Sequence, residues 1–191
     1  VGALGGVDIS GDDNKVETLG GLGDNGSIQT VAGDGVNISG NSNLVEAEDE
    51  IITISAGSGV VITGADNIVI AGDVDMGPVP KWFTGVGIGG ADGGVAISGG
   101  KNNDVSTTGG IIGKDGIGVS ITSDDNDVEA GGMDTTPSIF LGQTLTNVGI
   151  IGGTDGVNIQ ADDNNVTTTG FISGEGGDGV TIVGNDNSVE S

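Results

Sequence analysis

The amino-acid sequence predicts an all-β protein whose chain winds as a solenoid of about seven coils, with three short strands in each coil. Two observations carry this prediction. A signature that combines glycine, β-branched residues and one asparagine recurs seven times along the chain. Glycine fills 42 of 191 positions while aromatic residues make up only 2 %, which is unlike a compact globule, because aromatic side chains usually dominate such cores.

The signature has the form G-V-x-I-x-x-x-x-N-x-V, and self-similarity of this kind is typical of repeat architectures. The fourth copy carries one extra residue before its asparagine, and the other six keep the same spacing. The copies begin at Gly6, Gly35, Gly59, Gly94, Gly118, Gly156 and Gly179.

Each signature predicts two strands joined by a turn. Val-x-Ile has the two-residue period of a strand with one buried face, and the second valine begins the next strand. The residues between them are Gly, Ser, Asp and Asn, which tolerate the backbone conformations of a tight corner. A third apolar stretch follows in Ile28–Val31, Ile51–Ile54, Val86–Ile88, Ile111–Ile112, Val148–Ile151 and Phe171–Ile172. Three strands per repeat predict one coil of a triangular prism.

The spacing between successive first valines is 29, 24, 35, 24, 38 and 23 residues. Short and long repeats therefore alternate, so the bare coil has 23–24 residues and every second coil carries an insertion after its second strand. The insertions fall within 17–34, 70–94 and 129–156. Residues 1–191 are expected to form a single solenoid domain.

Stacked coils place equivalent residues above one another, about 4.8 Å apart. The two valines and the isoleucine of each signature should form three interior columns. The signature asparagine should form a fourth, in which each side-chain amide bonds to the amide of the next coil. The alternative is seven unrelated turn asparagines. The ladder residues would be Asn14, Asn43, Asn67, Asn103, Asn126, Asn164 and Asn187.

The coil length and the stacked Val-x-Ile…Asn-x-Val pattern over residues 6–189 resemble right-handed parallel β-helix proteins. That class includes pectate-lyase-like enzymes and the passenger regions of bacterial surface adhesins. The resemblance implies the architecture, whereas many unrelated activities share this fold.

Composition excludes several functions. The formal net charge of −24 would repel nucleic acid and anionic lipid, and no run of 18 apolar residues could span a membrane. The chain has no cysteine, histidine or arginine, so disulfides, zinc–thiolate sites and serine–histidine triads are impossible. No cofactor is expected with certainty.

Calcium is the one candidate ligand. Asp125, Asp163 and Asp186 would stack in the last three coils, where like charges repel unless they are solvated or bridged by a cation. The alternative is a hydrated acidic edge that keeps the solenoid soluble.

Three of the four aromatic residues, Trp82, Phe83 and Phe140, lie in the insertions. Exposed aromatic residues often mark contacts between molecules. The alternative is that they fold back over a face of the prism.

We expect a non-enzymatic structural subunit of an extracellular or cell-surface filament, sheath or layer, with other copies of itself as partners. VGALGG at the start resembles VGIGG at 86–90, which precedes a signature, and the sequence stops after a second strand. One end would thus continue the other. A β-helical adhesin or ligand-binding passenger is the alternative, and a polysaccharide-active enzyme is the third reading, although Asp-Asp recurs with the repeat rather than once as a catalytic pair would.

Overall fold

The computed structural model describes residues 5–19, 26–72, 85–132, 138–140, 143–145 and 147–191, and these contain strands and turns but no helix. Twenty strands form three parallel sheets, and two more form an antiparallel hairpin. Each coil contributes one strand to each sheet in turn, except that the last coil contributes two. The predicted solenoid with three strands per coil is therefore confirmed.

The first and second sheets hold the two strands of each signature. The first sheet consists of β1 (Val7–Ile9), β4 (Val36–Ile38), β7 (Ser58–Ile62), β10 (Gly93–Ile97), β13 (Val119–Ile121), β18 (Val157–Ile159) and β21 (Val180–Ile182). The second sheet consists of β2 (Lys15–Thr18), β5 (Leu44–Ala47), β8 (Ile68–Ala71), β11 (Asp104–Thr107), β14 (Asp127–Ala130), β19 (Asn165–Thr168) and β22 (Ser188–Glu190).

The third sheet holds the apolar stretches between signatures. It consists of β3 (Ile28–Ala32), β6 (Ile51–Ala56), β9 (Val86–Gly90), β12 (Gly110–Gly113), β17 (Val148–Gly152) and β20 (Phe171–Gly174). The hairpin of β15 (Ser138–Phe140) and β16 (Gln143–Leu145) lies within the third predicted insertion.

The register of the sheets confirms the three interior columns. Val36 pairs with Val60 and Ile38 with Ile62, and the same pairing continues through all seven coils. The second-sheet valines also pair with one another from the first coil to the last. The column side chains of the five internal coils are at most 1 % exposed. β-Branched residues suit these columns because they lose little rotamer freedom in a strand.

In the first six coils, the glycine before the first valine is explained by close approach of neighbouring coils. A Cβ atom on Gly35 would lie 2.6 Å from the carbonyl oxygen of Gly59, and one on Gly118 would lie 2.6 Å from that of Gly156. Since real Cβ atoms do not approach oxygen so closely, any side chain here would push the coils apart.

The third sheet differs from the other two because both of its faces are buried in the middle coils. Ile51, Ile111 and Ile150 belong to the interior core. Their neighbours Ile52, Ile112 and Ile151 must face the other side of the sheet, and these are also at most 1 % exposed. In these middle coils the outer face of the third sheet is therefore not a free surface.

Candidate functional site

The corner between the first and second sheets carries the most regular polar structure in the molecule. We call it the ladder corner, and in the second coil it comprises residues 39–43. Three successive positions matter here: an outer residue, a left-handed residue and the ladder asparagine. In the second coil these are Asn41, Ser42 and Asn43.

The ladder asparagines form a continuous hydrogen-bonded column. Each Nδ2 donates to Oδ1 of the asparagine in the next coil, over 2.9–3.3 Å in all six steps. The backbone N–H of each asparagine donates to the same oxygen over 2.9–3.1 Å. Asn43, Asn67, Asn103, Asn126 and Asn164 are buried. The predicted ladder is confirmed, and the alternative of unrelated turn residues is wrong.

The residue before each ladder asparagine has a left-handed backbone, with φ between 53° and 57°. This conformation is costly for most side chains, but Asp, Asn and Ser tolerate it better because their short polar groups bond locally. The seven residues are Asp13, Ser42, Asp66, Asn102, Asp125, Asp163 and Asp186.

A second column, which the repeat pattern did not predict, lies just outside the first. We call it the outer column, and it runs through the residues two positions before each ladder asparagine. Asn41 N–H donates to Asp12 Oδ1 over 2.7 Å, and Ala65 N–H donates to Asn41 Oδ1 over 2.9 Å. In the last coils Asp162 N–H donates to Asp124 Oδ1, and Asn185 N–H donates to Asp162 Oδ1.

The two columns have opposite polarity. Along the asparagine ladder each coil donates to the coil that follows it, whereas in the four outer-column steps that carry a hydrogen bond the coil donates to the one that precedes it. The hydrogen bonds of the two columns therefore run in opposite directions along the solenoid.

Lys101 interrupts the outer column in the fourth coil. Its ammonium group lies 3.1 Å from carboxylate oxygens of both Asp124 and Asp125 in the fifth coil. Hydrogen bonds to Asp125 and then Asp124 raise the pKa of Lys101. The backbone N–H of Asp162, followed by Lys101, lowers the pKa of Asp124. Within the described residues the outer-column bond is absent on both sides of Lys101, because the Ala65 side chain has no acceptor, and an ion pair takes its place between Lys101 and Asp124.

The structure gives Asp125, Asp163 and Asp186 a conformational role as left-handed corner residues. Among the described residues, no group of three or more His, Cys, Asp or Glu side chains is placed to hold a metal ion. Calcium binding at these three aspartates stays a prediction.

The aromatic contact residues are not placed by the described structure. Trp82 and Phe83 lie outside the described residues, and Phe140 ends strand β15 with its side chain outside the described part. Their proposed role in contacts between molecules stays a prediction.

A shallow groove of about 450 Å³ lies where the second sheet turns toward the third. Ile70, Ser106, Thr107, Glu129 and Thr169 are among its lining residues. Close by, Asp104 pairs in register with Asp127. Loss of hydration, followed by the charges of Asp127 and Glu129, raises the pKa of Asp104. Polar and acidic side chains therefore border the groove.

One buried carboxylate was not predicted from the sequence. Glu50 is fully buried, and its Oε1 accepts a hydrogen bond from Gln29 Nε2 over 2.7 Å. Among the residues that the structure describes, its Oε2 has no hydrogen-bond partner. Glu50 ends the acidic run Glu48, Asp49, Glu50, and nothing in the sequence distinguishes it from the exposed residues of a turn, so only the structure reveals its burial.

Comparisons with known proteins identify no relative of this chain. No protein-family model, no curated protein and no solved structure matches it. Within the described residues there is also no helix with the length and hydropathy of a membrane span. A functional assignment therefore depends on the geometry of the coils alone.

Proposed function

We propose that this chain is a non-enzymatic structural subunit whose copies stack head to tail into an extracellular or cell-surface filament, sheath or layer. One observation carries the proposal. The valine and isoleucine columns and the asparagine ladder keep one register from coil to coil, so a coil can offer a coil of another copy the same set of residues that it offers its neighbour within the chain.

The strand edges support the same proposal. Strands β21 and β22 form one edge of the first and second sheets, and β1 and β2 form the opposite edge. Edge strands present unpaired N–H and C=O groups to any further strand, and added strands are a common mode of recognition. Because all strands in these sheets are parallel, the two edges differ and their contact is heterologous. A heterologous contact that does not close generates a filament.

Charge opposes association. With a net charge of −24 per chain, approaching copies repel each other until salt screens the charges. Stacking should therefore require moderate ionic strength or divalent cations.

Lateral contacts would convert filaments into a sheath or layer. The outward residues of the first sheet carry no charge from the second coil onward, in the column Asn37, Val61, Ala96, Ser120, Asn158 and Thr181. Trp82, Phe83 and Phe140 in the insertions are the other candidates for such contacts.

The experiment is electron microscopy and sedimentation velocity of the purified chain over a salt series. We expect filaments at high salt, with a subunit rise near 34 Å from seven coils at about 4.8 Å each. A chain that stays monomeric at high concentration and high salt would overturn the proposal.

A ligand-binding or adhesin role is the second candidate, and the groove beside Ile70 and Glu129 favours it. Ile70 is 37 % exposed there, among hydroxyl groups suited to a polar ligand such as a glycan. A glycan panel read by thermal shift, with Ser106→Trp to fill the groove, tests this role. Hydrolysis or elimination products in the same panel would instead indicate the polysaccharide-active enzyme.

A further inference from the structure

We infer that the outer face of the second sheet, from the second coil to the fifth, is a docking surface for a basic polypeptide segment that also carries aliphatic side chains. The aliphatic side chains would contact Ile68 and Ile70, and lysine or arginine side chains would pair with the carboxylates that flank them. The inference concerns one side of the solenoid and does not depend on the stacking of copies.

The third coil interrupts the polar pattern of this face. Val69 and Ala71 of β8 are buried, so the alternating residues Ile68 and Ile70 point outward, where they are 41 % and 37 % exposed. Leu44 is in register with Ile68 in the preceding coil and is half-buried. These three side chains form a continuous apolar patch on a face that is otherwise polar or charged across the described strands.

Carboxylates flank the patch on both sides along the solenoid. Glu46 of the preceding coil is in register with Ile70, and Asp104 of the following coil is in register with Ile68. Asp127 lies one coil further, in register with Asp104. The outward face of the first sheet carries no charge in these coils, so acidic side chains beside an apolar patch distinguish the second sheet.

The flanking carboxylates form no ion pair with any residue that the structure describes. On this face the described strands hold one lysine, Lys15, and it lies 2.5 Å from Glu17 in the first coil. Loss of hydration, followed by the charges of Asp127 and Glu129, raises the pKa of Asp104, so the ionised form of Asp104 is disfavoured. A cationic side chain over Asp104 and Asp127 would remove this penalty.

The chemistry of the face matches a ligand that is both apolar and cationic. A small cation would pair with the carboxylates but leave Ile68 and Ile70 exposed, and the net charge of −24 repels acidic partners. In an extended peptide, alternate side chains lie about 6.6–6.8 Å apart, which falls between the span of one coil and that of two. An aliphatic residue over Ile68 would therefore place the side chain two positions later above Asp104 or Asp127.

The probe is a fluorescently labelled peptide with blocked ends and the pattern Leu-Ser-Leu-Ser-Lys-Ser-Lys, titrated with the whole chain and read by fluorescence anisotropy at low salt. Two control peptides replace either both leucines with serine or both lysines with glutamine. We expect the parent peptide to bind about fivefold more tightly than either control, because each control removes one of the two kinds of contact.

Ile70→Ser tests the apolar contact and should weaken binding of the parent peptide about three- to fivefold. Serine stands at the same position one coil later, at Ser106, so the strand accepts it. Val61→Ser is the matched control, because it removes an outward apolar side chain of the first sheet, where Ser120 holds the equivalent position two coils later. The control should leave binding unchanged.

Asp104→Asn tests the ionic contact. It should weaken binding about two- to fivefold at low salt and have no effect at high salt, as expected for an exposed ion pair. Asp8→Asn removes the same charge from the outward face of the first sheet and should change binding little at either salt concentration.

Melting temperatures check that each variant folds. If the parent peptide and the leucine-to-serine peptide bind equally, or if Ile70→Ser and Val61→Ser behave alike, binding reflects only attraction to the net charge and the inference is overturned. Failure of the wild type to bind the parent peptide at low salt would overturn it as well.

Discussion

Asn103 donates two hydrogen bonds to a single atom, Oδ1 of Asn126, from its backbone N–H over 3.1 Å and from its Nδ2 over 2.9 Å. Asn126 in turn donates to Oδ1 of Asn164 over 3.1 Å and to the carbonyl of its own turn at Ser123. One amide thus joins three coils, and both of its polar atoms are committed. Removing it leaves unpaired groups in two neighbouring coils.

Asn126→Ala should therefore destabilise the protein by about 2–4 kcal/mol, because the donors of Asn103 and the acceptor of Asn164 lose their buried partner. Asn14→Ala should cost less than about 1 kcal/mol, since Asn14 is exposed. The backbone N–H of residue 14 would also still donate to Asn43 Oδ1 in the variant. Chemical denaturation measures both. Equal, small losses would show that the ladder does not stabilise the coil.

The left-handed backbone of Asp163 predicts how strongly different substitutions at this position destabilise the protein. Asp163 has φ of 57°, so Asp163→Gly and Asp163→Asn should be tolerated, whereas Asp163→Val should cost about 1–2 kcal/mol. Thermal unfolding of the three variants checks this order. A valine variant as stable as the asparagine variant would argue that this corner is not strained.

Calcium binding at Asp125, Asp163 and Asp186 predicts that excess chelator lowers the melting temperature and that calcium alone restores it. The shift should disappear in Asp163→Asn, which keeps the corner conformation but removes one carboxylate. A shift no larger than that from potassium chloride of matched ionic strength would leave the hydrated acidic edge as the explanation.

Replacing Asp104 with asparagine should stabilise the folded protein by an amount that depends on pH. Its pKa is raised by loss of hydration and by Asp127 and Glu129, so its ionised form is disfavoured in the folded state. That penalty is absent below the ordinary pKa of an aspartate, grows as the pH rises through the raised value, and is complete at neutral pH. Asp104→Asn should therefore stabilise the protein by about 0.5 kcal/mol at pH 7 and not at all near pH 3.

The matched control is Asp8→Asn, because Asp8 pairs in register with Asn37 instead of a carboxylate. Denaturation curves at the two pH values should show no comparable gain for this control. An equal gain in both variants would mean that net charge, rather than the Asp104–Asp127 pair, is responsible.

The sequence predicts the strands, the apolar columns and the asparagine ladder because side chains there must match their neighbours one coil away. Val36 packs well only against residues of similar shape in the coils on either side, so the same residue type recurs at this position of the sequence repeat. The outer column escapes prediction because its donor is a backbone N–H. Every residue type has this N–H, so alanine at position 65 can still donate to Asn41, just as Asn41 donates to Asp12. The side chain supplies only the acceptor for the following coil, so no single residue type marks the position.

The buried outer face of the third sheet escapes prediction for another reason. Ile52, Ile112 and Ile151 stand in a column whose other members are Gln29, Gly89 and Ser173, so no residue type marks the position. Periodicity therefore gives no information about burial at this position.

The left-handed corner has a consequence for how the surface of this protein can evolve. Its backbone accepts aspartate and asparagine alike, so an exchange between them changes charge without changing shape. Five of the seven corner positions are aspartate, namely Asp13, Asp66, Asp125, Asp163 and Asp186. Selection for a different salinity could therefore remove up to five negative charges, one at a time, from a chain of net charge −24 without moving a strand.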